Sequence, residues 1–249
     1  MSTLIHRFSF TARAALYALA AFLPIWFIPA PIGVAFGREA TFTFLIAIAL
    51  IAWSLSSLGR GEVVVHRSLA GYSAVVFLAI SFVSALFSQT PYVAMLFSDV
   101  DAERLTTLLL GISLMLTAGA VLRNYKDAGA ALFIFLFSAT AAAAITLVQI
   151  LFGVSVFRAF GAFAARPDFN VIGTMNGLAL FYAACFAVGA GMLFSPLQIN
   201  WRPWIRYALY SGLVFFFLNI VLINFRTAWI GLAVVGAALF GLLFARGRA

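Results

Sequence analysis

The sequence predicts an all-α protein, built as a bundle of membrane-spanning helices. Of its 249 residues, 65% are hydrophobic and only 9% are charged, whereas ordinary soluble domains carry about 25% charged residues. The apolar residues lie in runs of about 18 to 25, which is the length that crosses the hydrocarbon core of a bilayer. A soluble protein of this length would need a solvated face on each helix, and these runs have none.

Eight apolar runs are predicted to be spans of one membrane domain over residues 1–249. The first follows Arg7 and Arg13, and its three prolines predict a kinked helix that is retained, because the run is longer than a signal-peptide core. Acidic residues precede the fourth run and a polar segment precedes the sixth. Very short loops within the first and last pairs predict antiparallel neighbours. The predicted spans are 14–36, 40–58, 69–88, 104–122, 128–151, 174–194, 207–224 and 227–245.

Charge predicts the direction of the spans. With the N-terminus inside, ten of the fifteen Lys and Arg residues fall on the inner side, and five of the seven acidic residues fall outside. Because cytoplasmic loops carry an excess of Lys and Arg, both termini are expected in the cytoplasm. The net charge of +8 does not indicate a nucleic-acid partner, since the basic residues lie in ones and twos between apolar runs. The five outer arginines are Arg38, Arg104, Arg158, Arg166 and Arg226.

Three outward segments hold most of the polar side chains. In the first, Asp99, Asp101 and Glu103 either resemble carboxylates that hold a divalent ion on a diphosphate, or cap and charge the start of the fourth helix. In the second, Thr174 and Asn176 open the sixth helix, where free backbone N–H groups suit an anion. The alternative is that Thr174 only caps that helix.

The third segment, Asn224 to Thr227, places one charged residue, Arg226, between the last two spans. The guanidinium either lies among lipid headgroups or binds an anionic partner. Arg158, Arg166 and Arg226 all fall on the outer face, and guanidinium groups bind phosphate oxygens bidentately. The sequence therefore predicts a phosphate-binding site on this face. His6 and His66 fall on the inner side without metal-ligand spacing, and no nucleophile–base pattern is visible.

Two motifs resemble a known family. The segment NIVLINFRTAWIGL, residues 219–232, resembles a signature of the O-antigen ligase and polymerase superfamily, in which a span ends in a small residue and Ser-Arg, followed by Thr or Gly, Ala and an apolar helix. The segment GTMNGLAL, residues 173–180, is similar to a second pattern of that family, a Gly-Thr/Phe-x-Asn helix start. With the spacing of the helices, the likeness covers essentially the whole chain. It departs at Phe225, where the family usually has Ser.

The resemblance implies a bacterial inner-membrane glycosyltransferase of lipopolysaccharide biosynthesis. Its donor would be an undecaprenyl-diphosphate-linked glycan at the periplasmic face, and no metal or other cofactor is expected. Arg226 would stabilise the leaving diphosphate, and Arg158, Arg166, Thr174, Asn176 and Asn224 would help to bind the substrate. Family members continue into a large periplasmic loop that this chain lacks, so we expect an N-terminal portion or shortened member that is inactive alone.

Two other functions are kept as alternatives. A transporter or channel for an anionic solute would use the outer arginines to attract its substrate, but no charge lies at the centre of any span. Gln149 and Asn219 are the nearest polar candidates for a pathway, and bonds between helices explain them equally well. A non-catalytic scaffold would contact other polysaccharide-assembly proteins through small residues. The expected partners are thus the lipid bilayer, the lipid-linked glycan and such assembly proteins.

Overall fold

The computed structural model describes residues 2–26, 34–62, 69–87, 105–160, 164–165, 169–194 and 201–246. Within these ranges the chain forms eight α-helices and one 3₁₀ helix, and it has no strand. The all-α prediction is therefore confirmed. The helices are α1 Ser2–Phe22, α2 Val34–Arg60, α3 Leu69–Leu86, α4 Leu105–Val121, α5 Tyr125–Phe152, α6 Met175–Phe194, α7 Pro203–Ile223 and α8 Arg226–Arg246, and the 3₁₀ helix η1 is Val156–Phe160.

The first helix differs most from its prediction. It begins at Ser2 and ends at Phe22, whereas the sequence predicted a kinked helix over 14–36. Pro24 follows at once, and the residue before a proline is biased away from helical geometry. The N–H groups of Ile25 and Trp26 both donate to the carbonyl of Phe22, which closes a turn. The proline thus ends this helix where a kink was expected. The other helices lie within six residues of the predicted boundaries.

The chain is a membrane protein by the length and composition of its helices. Four helical segments are long and apolar enough to cross a bilayer: Glu39–Arg60, Tyr125–Phe152, Met175–Phe194 and Pro203–Ile223. Three shorter apolar segments lie in α3, α4 and α8. Large apolar side chains are exposed along the helices, for example Phe44 at 66%, Phe137 at 61% and Phe240 at 67%. Such surfaces suit lipid and would be unfavourable in water. The count of eight spans and their direction stay predictions.

Two compact units divide the chain, and the prediction of one membrane domain stays untested. The first unit comprises residues 1–19 and 39–131. Its core joins Ala15 and Leu16 of α1 to Ala49 of α2, and apolar side chains of α4 pack against them. Small residues bring α1 and α2 close together, since a Cβ added at Gly59 would lie 2.8 Å from the side chain of Ile5.

The second unit comprises residues 20–38 and 132–249, and its core lies among α5, α6 and α7. Tyr182 and Phe216 stack with ring centroids 5.8 Å apart, and the Tyr182 hydroxyl is 2.9 Å from Thr146 Oγ1. Asn219 on α7 is fully buried, and its Nδ2 donates to the carbonyl of Ala143 on α5. This bond matches the helix-packing explanation for Asn219. Gly189, later in α6, lies next to Leu136 and Leu213, which precede Thr146 and Phe216 in their helices, so α6 is antiparallel to both α5 and α7.

Candidate functional site

Five of the six predicted site residues are described by the structure, and all five belong to the second unit. They are Arg158, Thr174, Asn176, Asn224 and Arg226. Arg166 and the acidic residues Asp99, Asp101 and Glu103 lie outside the described residues. All five described side chains are exposed to the surroundings of the helices. None of these side chains is therefore buried in the apolar core.

A sharp corner at Asn224 joins α7 to α8. Asn224 adopts the left-handed conformation, with φ 52° and ψ 44°, and its N–H donates to the carbonyl of Ile220 at 2.9 Å. Asparagine is one of the few non-glycine residues that adopt this conformation readily. Its side-chain Oδ1 also accepts a bond from Trp229 Nε1 at 3.2 Å. The corner thus fixes Arg226 as the first residue of α8.

The N-termini of α6 and α8 lie at the same end of the second unit. Helix α6 packs against both α7 and α8. One buried cluster contains Leu178 near the start of α6, Ile220 near the end of α7 and Ala228 near the start of α8, and Phe225 packs against it. The positive ends of these two helix dipoles therefore lie at the end of the second unit that carries Arg226.

Thr174 caps α6. Its Oγ1 accepts a bond from the backbone N–H of Gly177 at 3.1 Å, as the capping interpretation predicted. Asn176 follows within the first turn, and its side chain is exposed. The cap uses one of the free backbone N–H groups at this terminus. The remaining free N–H groups and the exposed Asn176 amide are therefore the polar donors left at the start of α6.

Buried hydrogen bonds hold the polar segment between α5 and α6 in place. Gln149, which is 2% exposed, donates from Nε2 to Ser155 Oγ at 3.2 Å and to the carbonyl of Phe169 at 3.3 Å. The Ser155 hydroxyl in turn donates to the carbonyl of Ala164. Gln149 therefore serves loop packing rather than a bond between helices. Sequence reasoning missed Ser155. The usable signal was Gly153 two residues earlier, because glycine commonly ends a helix, and in the structure Gly153 follows α5 with φ 65°.

A second local network ends this segment. The Oδ1 atom of buried Asn170 accepts bonds from the N–H groups of Ile172 at 3.1 Å and Gly173 at 2.8 Å. Gly173 has φ 134°, a conformation that side chains disfavour. These bonds turn the chain into the Thr174 cap.

Arg158 lies on η1, which follows the C-terminal end of α5. Because α5 is antiparallel to α6, this end is the one that also carries Thr174 and Arg226. The neighbouring Phe157 packs edge-on against Phe169 with ring centroids 5.6 Å apart, and this anchors η1 while Arg158 stays exposed. In the part of the chain that the structure describes, no group of three His, Cys, Asp or Glu residues could hold a metal ion.

No protein-family model, curated protein or solved structure matches this chain. The resemblance to the O-antigen ligase and polymerase superfamily therefore rests on the two sequence motifs alone.

Proposed function

We propose that the chain is an O-antigen ligase-like membrane protein that binds an undecaprenyl-diphosphate-linked glycan at the periplasmic face of a bacterial inner membrane. One observation supports this most directly. The exposed Arg226 opens α8 at the end of the second unit where α6 also begins. A fixed cation and two helix N-termini at one end are suited to a diphosphate.

The chemistry of glycosyl transfer explains why a cation belongs there. Negative charge grows on the diphosphate as the glycan leaves, and a preorganised guanidinium beside a low-dielectric region stabilises that charge. Arg226 supplies the cation, and the Asn224 corner holds its backbone in place. Arg158, on the anchored η1 helix at the same end, supplies a second guanidinium.

Binding of a water-soluble undecaprenyl diphosphate analogue to the purified protein tests the proposal. Arg226→Ala should weaken binding about ten- to hundredfold, because a hydrogen bond to a charged group contributes about 1.5–3 kcal/mol. Arg226→Lys should restore only part of the affinity, since an ammonium lacks the two-pronged geometry. The matched control is Arg202→Ala. Arg202 is exposed and precedes the first residue of α7, whereas the Asn224 corner and Arg226 follow the last residue of that helix. Parent-like affinity in the Arg226, Arg158 and Arg166 alanine variants would contradict a diphosphate site.

A further inference from the structure

A polar cavity lies in the first unit, and none of the residues that line it belongs to the site proposed around Arg226. It has a volume of about 120 Å³, and α1, α2, the end of α4 and the start of α5 line it. A cavity of about 10–15 Å³ already admits one water, so this cavity has room for a group several times larger than water. Charge distribution predicts that this end faces the cytoplasm.

Arginines dominate the charge around this cavity. Arg60 and Arg123 both line it, and the one carboxylate in the lining is Asp127. Asp127 Oδ2 lies 3.5 Å from Nη1 of Arg13, and Asp127 Oδ1 lies 3.5 Å from the Tyr17 hydroxyl. Arg13 thus offsets the carboxylate, so two guanidinium groups and one already paired carboxylate line the cavity. The Arg123 Nε atom donates to the carbonyl of Ala120 at 3.0 Å, which uses one of its five donors.

Helix α2 presents three of the lining groups from one face. Trp53, Ser56 and Arg60 follow one another at spacings of three and four residues, which places them in a row along the helix. The Arg60 guanidinium donates to the carbonyl of Ser56 at 3.2 Å and to its hydroxyl at 3.0 Å. These two bonds orient the guanidinium along the wall of the cavity and use part of its five donors.

An unused donor lies within the same lining. The Trp53 Nε1 atom is buried and has no hydrogen-bond partner in the structure. A buried N–H without an acceptor costs about 1–3 kcal/mol, so such groups normally have a partner. An oxygen atom inside the cavity would satisfy this donor. The amide of Asn124, which also lines the cavity, adds further hydrogen-bonding capacity.

From these observations we propose that the cavity binds a phosphate group. The two guanidinium groups supply charge and geometry that match phosphate oxygens, and the unpaired Trp53 N–H is a further donor among the lining residues. The phosphate comes either from the headgroup of an anionic phospholipid, which lies at this depth of a membrane, or from free phosphate. This site is independent of the diphosphate site proposed around Arg226.

The test uses the purified full chain in a neutral detergent, with two probes. Phosphorus NMR follows a titration with inorganic phosphate, and native mass spectrometry measures retention of phosphatidylglycerol against phosphatidylcholine. Binding of inorganic phosphate shows that the phosphate group alone suffices. Retention of phosphatidylglycerol without binding of inorganic phosphate identifies the lipid headgroup as the ligand. If neither probe binds, the proposal is overturned.

Charge-matched variants separate the cavity from the general basic surface. Arg60→Gln with Arg123→Gln should weaken binding of the effective probe about tenfold. Arg7→Gln with Arg202→Gln removes the same charge from exposed residues that do not line the cavity, and it should change binding less than about twofold. An equal loss in both double variants, or no loss in the first, would overturn the proposal.

Two further variants keep the test decisive if the glutamine pair does not fold. Arg60→Lys with Arg123→Lys preserves the charge and should bind with intermediate affinity. Trp53→Phe removes the unpaired N–H with a modest change in shape and should weaken binding about threefold. Parent-like binding by the Trp53 variant, with its helical circular dichroism intact, would rule out a phosphate oxygen at the indole.

Discussion

Replacing Gln149 by leucine should loosen the segment that carries Arg158 without unfolding the helices. The change removes the two bonds from Nε2 to Ser155 Oγ and to the Phe169 carbonyl. Each such bond contributes about 1 kcal/mol, so the segment should open more easily by about 2 kcal/mol. Since about 1.4 kcal/mol is a factor of ten, the open population should rise about thirtyfold.

Limited trypsin digestion in detergent measures this opening. Cleavage after Arg158 requires η1 to unfold locally, and its rate follows the open population when closing is faster than cleavage. The fragment ending at Arg158, quantified by mass spectrometry, should therefore form about thirtyfold faster from the Gln149→Leu variant. The midpoint temperature of global thermal unfolding should stay close to that of the parent.

Leu151→Ala provides the matched control, because Leu151 lies on the same helix with 62% of its surface exposed. Its cleavage rate after Arg158 should stay within about twofold of the parent. If the Gln149 variant is also cut at the parental rate, the segment is held by contacts other than the buried amide. The Arg158 component of the proposed site would then lack its structural anchor.

Two predictions concern the core of the second unit. A Cβ added at Gly212 would lie 2.6 Å from Thr140 Oγ1, so Gly212→Ala should destabilise the protein by about 1–3 kcal/mol, and Thr140→Ala in the same chain should restore most of this loss. Gly236→Ala is the control in thermal unfolding, because the space around Gly236 is open. Equal shifts of the unfolding temperature for both glycine variants would refute the contact. Tyr182→Phe removes the bond to Thr146 and should lower the free energy of unfolding by about 0.5–1.5 kcal/mol. A Thr146→Val background should reduce that effect, and full additivity in the double-mutant cycle would contradict the bond.

The helical fold followed from the sequence because apolar runs of membrane length have few alternatives. Every backbone polar group must be satisfied inside the segment, so such a run becomes a helix. The first helix was predicted less accurately. Hydrophobicity continues past Phe22, and the prediction treated Pro24 as a kink within a longer helix, whereas the chain turns there.

The residue types of the candidate site could be predicted from the sequence, but the hydrogen bonds that hold the segment carrying Arg158 could not. Arg226, Asn224 and Thr174 sit at helix ends that the apolar pattern marks directly. The role of Gln149 depends on partners 6 and 20 residues away, and no local pattern reports such contacts. The sequence indicated a polar residue in an apolar helix, but only the folded loop shows which carbonyl and hydroxyl groups it meets.

The corner at Asn224 also fixes the rotational register of α8. Only Asn224 and Phe225 separate α7 from α8, and each residue of an α-helix turns the chain by about 100°. One residue inserted as a new first residue of α8 would therefore turn Ala228 by about 100° away from the cluster it fills and turn Arg226 by the same angle. This corner should accept exchanges such as Asn224→Gly, which keeps the left-handed backbone, far better than any change in its length.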